Sequence, residues 1–377
     1  MSSVQEEKPI KFGVSKYKNV MGVTCYMNSI LHILQQIGVF SKYIVQAEFQ
    51  DTLLSKVDKS QDKEKALKEF VVFELFRLFK YSHENDDTSI TPTSFRAVIG
   101  SKNETWLERK QQDSPEFFNF LISQLEEEVG TKCTFVPGLK MDDIDTYAPL
   151  EENLKIISSM KDWIKYQAKE YSPLKNIFNG LTENTRRCSC CDSMNSVYEP
   201  FISLQLSIPI NRSEINKSFT IYECLDNFVH EEQLDKDNMM NCDMCGVKNR
   251  GFSNIKLWRT PKILVLHLKR FLVNSYGIPT QKLNNNITYP IKDLDLSKYF
   301  DVMSPYKDSS KYDLVGVNIH HSFGMMNINM GHYTSFVKNM TNHMWHHYND
   351  ANPVQTIMSA DQLQTQNAYM LFYYRCD

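Results

Sequence analysis

The sequence predicts an α+β protein in which helices come first and strands follow. Apolar residues recur every three or four positions in the N-terminal third, whereas after about residue 196 they alternate or run together with β-branched and aromatic residues. Two Cys-x-x-Cys pairs, at 188–191 and 242–245, also predict a metal site. The 377 residues are enough for one large domain or two to three smaller ones.

The helical part begins with a predicted amphipathic helix over residues 24–38, which Gly38 is expected to end. Further amphipathic helices are predicted over 65–80 and 114–129, the second of which starts with an N-cap region followed by proline. Another helix is predicted over 157–169. The first of these helices carries Cys25, a candidate reactive cysteine.

Two charged segments interrupt this pattern. Residues 56–69 mix lysine with acidic residues and are interpreted as a solvated helix face or a loop, while 139–156 are acidic, lack periodicity and are interpreted as a surface insertion. Strands are predicted over 197–208, 262–271, 313–321, 333–338 and 368–375.

Composition excludes several classes of protein. Lysine and arginine total 42 against 45 acidic residues, and a net charge of −3 argues against a nucleic-acid-binding protein. No apolar run reaches the roughly 18 residues that a membrane helix needs. The N-terminus lacks a hydrophobic signal core, so a cytoplasmic or nuclear location is expected, where thiols stay reduced.

Four of the nine cysteines form two pairs, Cys188 with Cys191 and Cys242 with Cys245. Two residues between thiolates let one tight turn aim both sulfurs at one ion, so two such turns predict a tetrahedral structural zinc site. Cys190 could replace either partner of its pair if the turn shifts. The alternative is that all of them are reduced surface thiols without a metal.

Cys25 differs from the other cysteines because it opens the predicted helix 24–38. A thiol at a helix N-terminus experiences the positive end of the helix dipole, which favours the reactive thiolate. The alternative is a buried cysteine that acts as a small apolar residue.

A predicted hairpin supplies a base for such a thiol. If the turn that follows residues 331–338 is a two-residue loop, His332 faces Asn349 on the returning strand. A slip of one residue would place Tyr348 or Asp350 there instead. One hairpin can thus deliver an imidazole beside an orienting amide or carboxylate. The alternative is that His332 is only a polar residue at the end of a strand.

Together these motifs resemble the ubiquitin-specific protease family. The resemblance covers residues 17–375. It rests on the segments 22–29 (the cysteine box), 111–117, 199–201, 204–206, 266–271, 331–333 (the histidine box), 348–350 and 368–375.

The resemblance implies a papain-like cysteine protease fold with a helical thumb, a β palm and zinc-bearing β fingers. After an N-terminal arm at 1–16, the catalytic domain would fill 17–377, with the thumb at about 17–135, the fingers at about 183–260 and the palm in the remainder. It also implies ubiquitin and ubiquitylated proteins as partners, and leaves open whether an activating protein is needed.

The resemblance further implies hydrolysis at the C-terminal glycine of ubiquitin through a thioester. Cys25 would be the nucleophile and His332 the group that takes and returns its proton. Asn349 would orient the imidazole, with Asp350 as an additional candidate for this role.

A second set of residues is implied for substrate binding. Asp113 and Glu116 match acidic positions near the path of the ubiquitin tail, where carboxylates would pair with its arginines. Gly331 and Tyr333, which flank His332, belong to the same set. The narrow channel would require glycine at the last two positions of the tail.

One position departs from the family pattern. The family usually carries asparagine five residues before the nucleophile, where its amide helps to hold the oxyanion, but here that position is Val20 and Asn19 precedes it. Either a backbone shift brings Asn19 into place or backbone N–H groups carry more of the role. Val20 therefore motivates an alternative function, a catalytically weak ubiquitin-binding module. A further alternative is a protease for a ubiquitin-like modifier.

Overall fold

The computed structural model describes residues 12–58, 61–132, 150–210, 217–274, 276, 279–322 and 331–376. The chain forms two compact units. Unit 1 comprises Met1–Val129 and Val315–Leu363, and unit 2 comprises Gly130–Leu314 and Gln364–Asp377. Within the described residues, no helix combines the length and the apolar character needed to cross a bilayer.

Ten α-helices are described in these ranges. They are α1 (Cys25–Gln36), α2 (Gly38–Gln46), α3 (Gln50–Ser55), α4 (Lys63–Leu67), α5 (Val71–Glu84), α6 (Thr93–Lys102), α7 (Ser114–Val129), α8 (Leu150–Lys169), α9 (Pro173–Phe178) and α10 (Ile221–Phe228).

Twenty strands are described as well. They are β1 (Lys16–Tyr17), β2 (Ser89–Ile90), β3 (Gly180–Arg187), β4 (Met194–Phe201), β5 (Leu204–Ser207), β6 (Phe219–Thr220), β7 (Glu232–Gln233), β8 (Met240–Asn241), β9 (Lys248–Asn249), β10 (Phe252–Arg259), β11 (Ile263–Lys269), β12 (Phe271–Val273), β13 (Pro279–Lys282), β14 (Ile287–Thr288), β15 (Leu294–Asp295), β16 (Lys311–Ser322), β17 (Gly331–Lys338), β18 (Trp345–Tyr348), β19 (Gln355–Ile357) and β20 (Ala368–Arg375).

Unit 1 packs helix α1 against strand β17, and β16, β17, β18 and β19 are antiparallel neighbours in that order. Every residue of α1 is buried, including the polar residues Asn28, Ser29, His32, Gln35 and Gln36. A side chain at Gly316 of β16 would lie 2.6 Å from the Ile33 side chain, so glycine permits close helix–sheet packing here. This packing fixes the N-terminus of α1 beside the start of β17.

Unit 2 contains an antiparallel sheet in which β3 lies between β4 and β10, and β10 also pairs with β7. Leu181, Tyr198 and Trp258 form a buried cluster on these strands. In the same unit, β11 pairs in parallel with β5 and antiparallel with β20. Strand β3 ends directly before the first cysteine turn described below, and β8 and β9 flank the second.

The helix predictions differ from the structure in three places. Helix α1 ends at Gln36, and Gly38 starts α2 instead of ending α1. The helix predicted over 65–80 is two helices, α4 and α5, and the one predicted over 157–169 already begins at Leu150. The predicted insertion is therefore helical from that residue on, while its part at 139–149 lies outside the described residues.

Candidate active site and cysteine cluster

Cys25 is the first residue of α1 and is fully buried. The segment before it is held by Asn19, whose Oδ1 accepts the backbone N–H of Thr24 at 2.8 Å. The Cys25 sulfur accepts the backbone N–H of Tyr333, the residue after His332. The structure therefore places the predicted nucleophile against the backbone of the residue that follows the predicted histidine, within unit 1.

Burial controls the ionisation of this thiol. Removal from water raises the pKa of Cys25 to about 11, and the negative charge of Asp350 acts in the same direction. Backbone N–H groups of Tyr333, Tyr26 and Cys25 itself oppose the shift without cancelling it. The position at a helix N-terminus predicted a thiolate, whereas the structure favours the neutral thiol at rest, because desolvation outweighs the N–H donors.

His332 contacts Asn349, as the hairpin predicted, but in a different register. The two-residue loop is wrong: β17 ends at Lys338, β18 starts at Trp345, and Ser335 lies opposite Tyr348. Strand β18 then ends, and a turn brings Asn349 Oδ1 to 2.7 Å from His332 Nε2.

The longer loop has a local cause in the side chain of Asn339. Its Oδ1 accepts the backbone N–H groups of Thr341 and Asn342 at 2.8 and 3.0 Å. His343, with φ of 57°, completes the loop by donating its N–H to the Asn339 carbonyl at 2.9 Å. These bonds stabilise a six-residue loop between β17 and β18, so the connection is longer than the predicted two-residue turn.

Asp350 lies further from the imidazole than Asn349 does. Its Oδ2 is 4.0 Å from His332 Nε2, and its two oxygens accept from the Nδ2 groups of Asn19 at 2.9 Å and Asn28 at 2.7 Å. Asn28 was not predicted, although it lies three residues after Cys25 on the same helix. Asp350 thus anchors the turn that carries Asn349 to the start of α1.

The amide of Asn19 is engaged on both sides. Its oxygen holds the N–H of Thr24, and one N–H is given to Asp350. Val20 donates its backbone N–H to Thr24 Oγ1 at 2.8 Å. Asn19 therefore positions the start of α1 and the carboxylate of Asp350.

The predicted substrate residues lie on α7, just before it and on β17. Tyr333 Oη donates to Asp113 Oδ1 at 3.1 Å, and Glu116 is exposed in the first turn of α7. Gly331 donates its N–H to Gln111 Oε1 at 2.9 Å. A Cβ at Gly331 would lie 2.6 Å from the backbone oxygen of His321, so no larger residue fits there without movement of the strand.

The four paired cysteines come together in unit 2. The sulfurs of Cys188, Cys191, Cys242 and Cys245 all lie within 4.8 Å of one another. Cys188 and Cys245 are 3.8 Å apart, and Cys191 and Cys242 are 3.6 Å apart. A tetrahedral zinc with Zn–S bonds of about 2.3 Å requires sulfurs separated by about 3.8 Å. The arrangement therefore fits a four-sulfur structural zinc.

Backbone geometry makes the two cysteine turns alike. A residue with positive φ follows the second cysteine of each pair, Asp192 at 55° and Gly246 at 69°. Cys190 is exposed, and its backbone N–H donates to the Cys188 sulfur at 3.3 Å. The thiol of Cys190 is not one of the four clustered sulfurs, so the ambiguity in the sequence is resolved in favour of Cys188 and Cys191.

Comparison with known proteins gives consistent matches. A family model described as "Ubiquitin carboxyl-terminal hydrolase" matches residues 17–373. "Ubiquitin carboxyl-terminal hydrolase 2" of Gallus gallus is 30% identical over 373 residues, covering 99% of this chain and 96% of the relative. The Homo sapiens protein of the same name is 30% identical over 361 residues, covering 96% of this chain but only 55% of the relative. The chain thus spans little more than half the length of that human protein.

Solved structures match the fold. A SAGA DUB module containing Ubp8, Sgf11, Sus1 and Sgf73 bound to monoubiquitin superposes with a TM-score of 0.69 at 22% identity, over 98% of this chain and 71% of the other. A module of the same composition bound to ubiquitin aldehyde gives 0.65 at 23% identity, over 98% and 70%. These likenesses confirm the fold class predicted from the sequence.

Proposed function

Because this chain belongs to the ubiquitin carboxyl-terminal hydrolase family, as its motifs predicted, we propose that it is a thiol-dependent deubiquitinase. It would hydrolyse isopeptide or peptide bonds at the C-terminal glycine of ubiquitin. The observation that carries the proposal is the placement of the Cys25 sulfur on the N–H of Tyr333, beside a histidine that Asn349 orients at 2.7 Å. Two matched structures of this fold are described as bound to monoubiquitin and to ubiquitin aldehyde.

The hydrogen bond to Asn349 sets the tautomer of His332. An amide oxygen only accepts, so Nε2 carries the hydrogen and Nδ1 is the nitrogen available to take a proton. The neutral Cys25 thiol gives its proton to Nδ1 as the sulfur attacks the scissile carbonyl. The imidazolium then protonates the leaving amine, which leaves a thioester. Water, deprotonated by the same nitrogen, releases ubiquitin.

Carboxylates in the predicted substrate set suit the recognition of a basic tail. Glu116 is exposed and available for charge-assisted pairing with an arginine of ubiquitin. Asp113 accepts the Tyr333 hydroxyl at 3.1 Å, which fixes the direction of its carboxylate. Because Tyr333 also gives its N–H to the nucleophile, this contact links tail binding to the reacting sulfur.

Hydrolysis of a fluorogenic amide at the ubiquitin C-terminus tests this function, with equivalent amides of ubiquitin-like modifiers assayed in parallel. We expect turnover of the ubiquitin amide, at a higher kcat/KM than for the other modifiers. A higher kcat/KM for a ubiquitin-like modifier would reassign the substrate. Ubiquitin binding by the folded chain without any turnover would instead support the binding-module alternative that Val20 motivates.

Replacing Asn349 with alanine is expected to lower kcat by about a hundred- to a thousandfold, because His332 Nε2 loses the acceptor that fixes its tautomer. Asp350→Ala is expected to act mainly on stability, lowering the free energy of unfolding by about 1–3 kcal/mol, since Asn19 and Asn28 lose their shared acceptor. Kinetics and thermal unfolding of both variants provide the check.

Asn352→Ala is the matched control, because this exposed residue lies in the same turn. A larger loss of kcat in folded Asp350→Ala than in Asn349→Ala would reverse the assignment and make Asp350 the orienting group.

The cysteine cluster is proposed to hold one structural zinc, with all four sulfurs as ligands and no open position for catalysis. The N–H of Cys190 and the side-chain amide of Asn249, each 3.3 Å from the Cys188 sulfur, would support the charge of the bound thiolate. The reducing conditions of the cytosol or nucleus, where we place the protein, keep these thiols available.

Metal analysis is expected to find about one zinc per purified chain. The double variant Cys188→Ser, Cys242→Ser should lose it and unfold at a lower temperature, because the two cysteine turns lose their shared ligand. Cys190→Ser, a neighbouring exposed cysteine outside the cluster, should keep the metal. Zinc retained in the double variant would refute this ligand set.

A further inference from the structure

Gln111 places a polar group beside the nucleophile. This half-buried residue lies three positions before α7, and its Nε2 is 3.9 Å from the Cys25 sulfur. Its Oε1 accepts the backbone N–H of Gly331 at 2.9 Å. Because a backbone N–H can only donate, it must face the amide oxygen, and this determines which end of the Gln111 amide points at the sulfur. The group beside Cys25 is therefore an N–H donor.

Position 20, five residues before the nucleophile, supplies no side-chain donor. Val20 offers an apolar side chain there. Asn19, one residue earlier, holds the N–H of Thr24 with its amide oxygen and gives one N–H to Asp350. Acyl transfer to a thiol generates negative charge on the carbonyl oxygen, and amide side chains are among the groups that stabilise such an oxyanion.

We propose that Gln111 Nε2 donates a hydrogen bond to the oxyanion formed when the Cys25 sulfur attacks the scissile carbonyl, and so supplies the side-chain donor that Val20 lacks. This inference rests on the proposed deubiquitinase function. In the step, a carbon–sulfur bond forms, the carbonyl π pair moves to oxygen and the thiol proton goes to His332. When the intermediate collapses, the carbon–nitrogen bond breaks and the amine leaves with that proton. The first backbone N–H groups of α1 supply the remaining donors.

Gln111→Glu separates this role from a purely structural one. A glutamate of the same shape still accepts the N–H of Gly331 but has no N–H to give to the oxyanion. We expect kcat for the ubiquitin amide to fall at least about a hundredfold, with KM changed less than about threefold. The kcat of Gln111→Ala should fall by a similar factor. The alkylation rate of Cys25 by iodoacetamide should change less than about threefold in Gln111→Ala, because the nucleophile itself is intact.

Gln112→Ala is the matched control. Its Nε2 donates to Thr105 O and to Glu108 Oε2, each at 3.1 Å, so it points away from Cys25. We expect its kcat to stay within about threefold of the native value.

Rescue provides an independent readout. Adding Val20→Asn to Gln111→Ala should recover at least about tenfold in kcat, because an asparagine there restores a side-chain donor. A native kcat in folded Gln111→Glu would overturn the proposal. The proposal would also be overturned if Gln111→Ala changed only KM, or if its kcat and its alkylation rate fell by the same factor. Absence of turnover in the native chain would instead count against the deubiquitinase function itself. If Gln111→Ala does not fold, Gln111→Glu decides alone.

Discussion

Replacing Cys25 with alanine is expected to abolish hydrolysis of a ubiquitin C-terminal amide, a loss of about 10⁵- to 10⁶-fold in kcat. The proposed mechanism has one nucleophile, and the side chain of alanine cannot form a thioester. The change removes a single buried sulfur at the start of α1, so we expect the fold to persist. Enzyme kinetics with the fluorogenic amide measure the effect.

Two further measurements make this result specific. Ubiquitin should still bind to Cys25→Ala, since the variant keeps Asp113, Glu116 and the rest of the substrate set. Cys190→Ala, which removes an exposed thiol instead of a buried one, should keep native activity. Turnover by folded Cys25→Ala within about tenfold of native would show that another group attacks the substrate.

His332→Ala is expected to lower kcat by about 10⁴-fold at neutral pH. Burial raises the pKa of Cys25 to about 11, so the sulfur holds its proton at rest and needs a base to release it. His230→Ala, at an exposed histidine in unit 2, is the matched control and should keep native kinetics.

The pH dependence of the residual activity gives a sharper test of His332. Without the imidazole, the rate should follow the fraction of free thiolate and rise about tenfold per pH unit between about pH 7 and about pH 10. The native chain should depend on pH much less steeply, because His332 takes the proton during attack. Equally flat profiles for both proteins would contradict the role of His332 as the base.

Part of the fold could be predicted because its pattern is local. Helix α7 and strand β20 have the predicted bounds, since the proline-containing start of α7 and the apolar run of β20 are visible in sequence. The break between α4 and α5 could not be predicted. The α5 N-terminus is capped by Glu128, whose carboxylate accepts the N–H groups of Val71 and Val72 at 3.0 and 2.8 Å from more than 50 residues away.

The site shows the same division between local and distant causes. The juxtaposition of His332 and Asn349 was predicted from a hairpin whose register is wrong. The contact arises instead because the chain turns directly after β18. Burial of Cys25, which decides the direction of its pKa shift, depends on packing that no local pattern encodes. The orientation of Gln111 likewise depends on Gly331, 220 positions later in the chain.

The most direct test of the central claim uses a ubiquitin probe with a thiol-reactive group in place of its C-terminal carboxylate. The probe is incubated with the native chain, and the modified residue is identified by peptide mass spectrometry. We expect one covalent adduct, on Cys25, formed at least about a hundredfold faster than in His332→Ala. An adduct on any of the other eight cysteines in place of Cys25, or none on the folded chain, would contradict it.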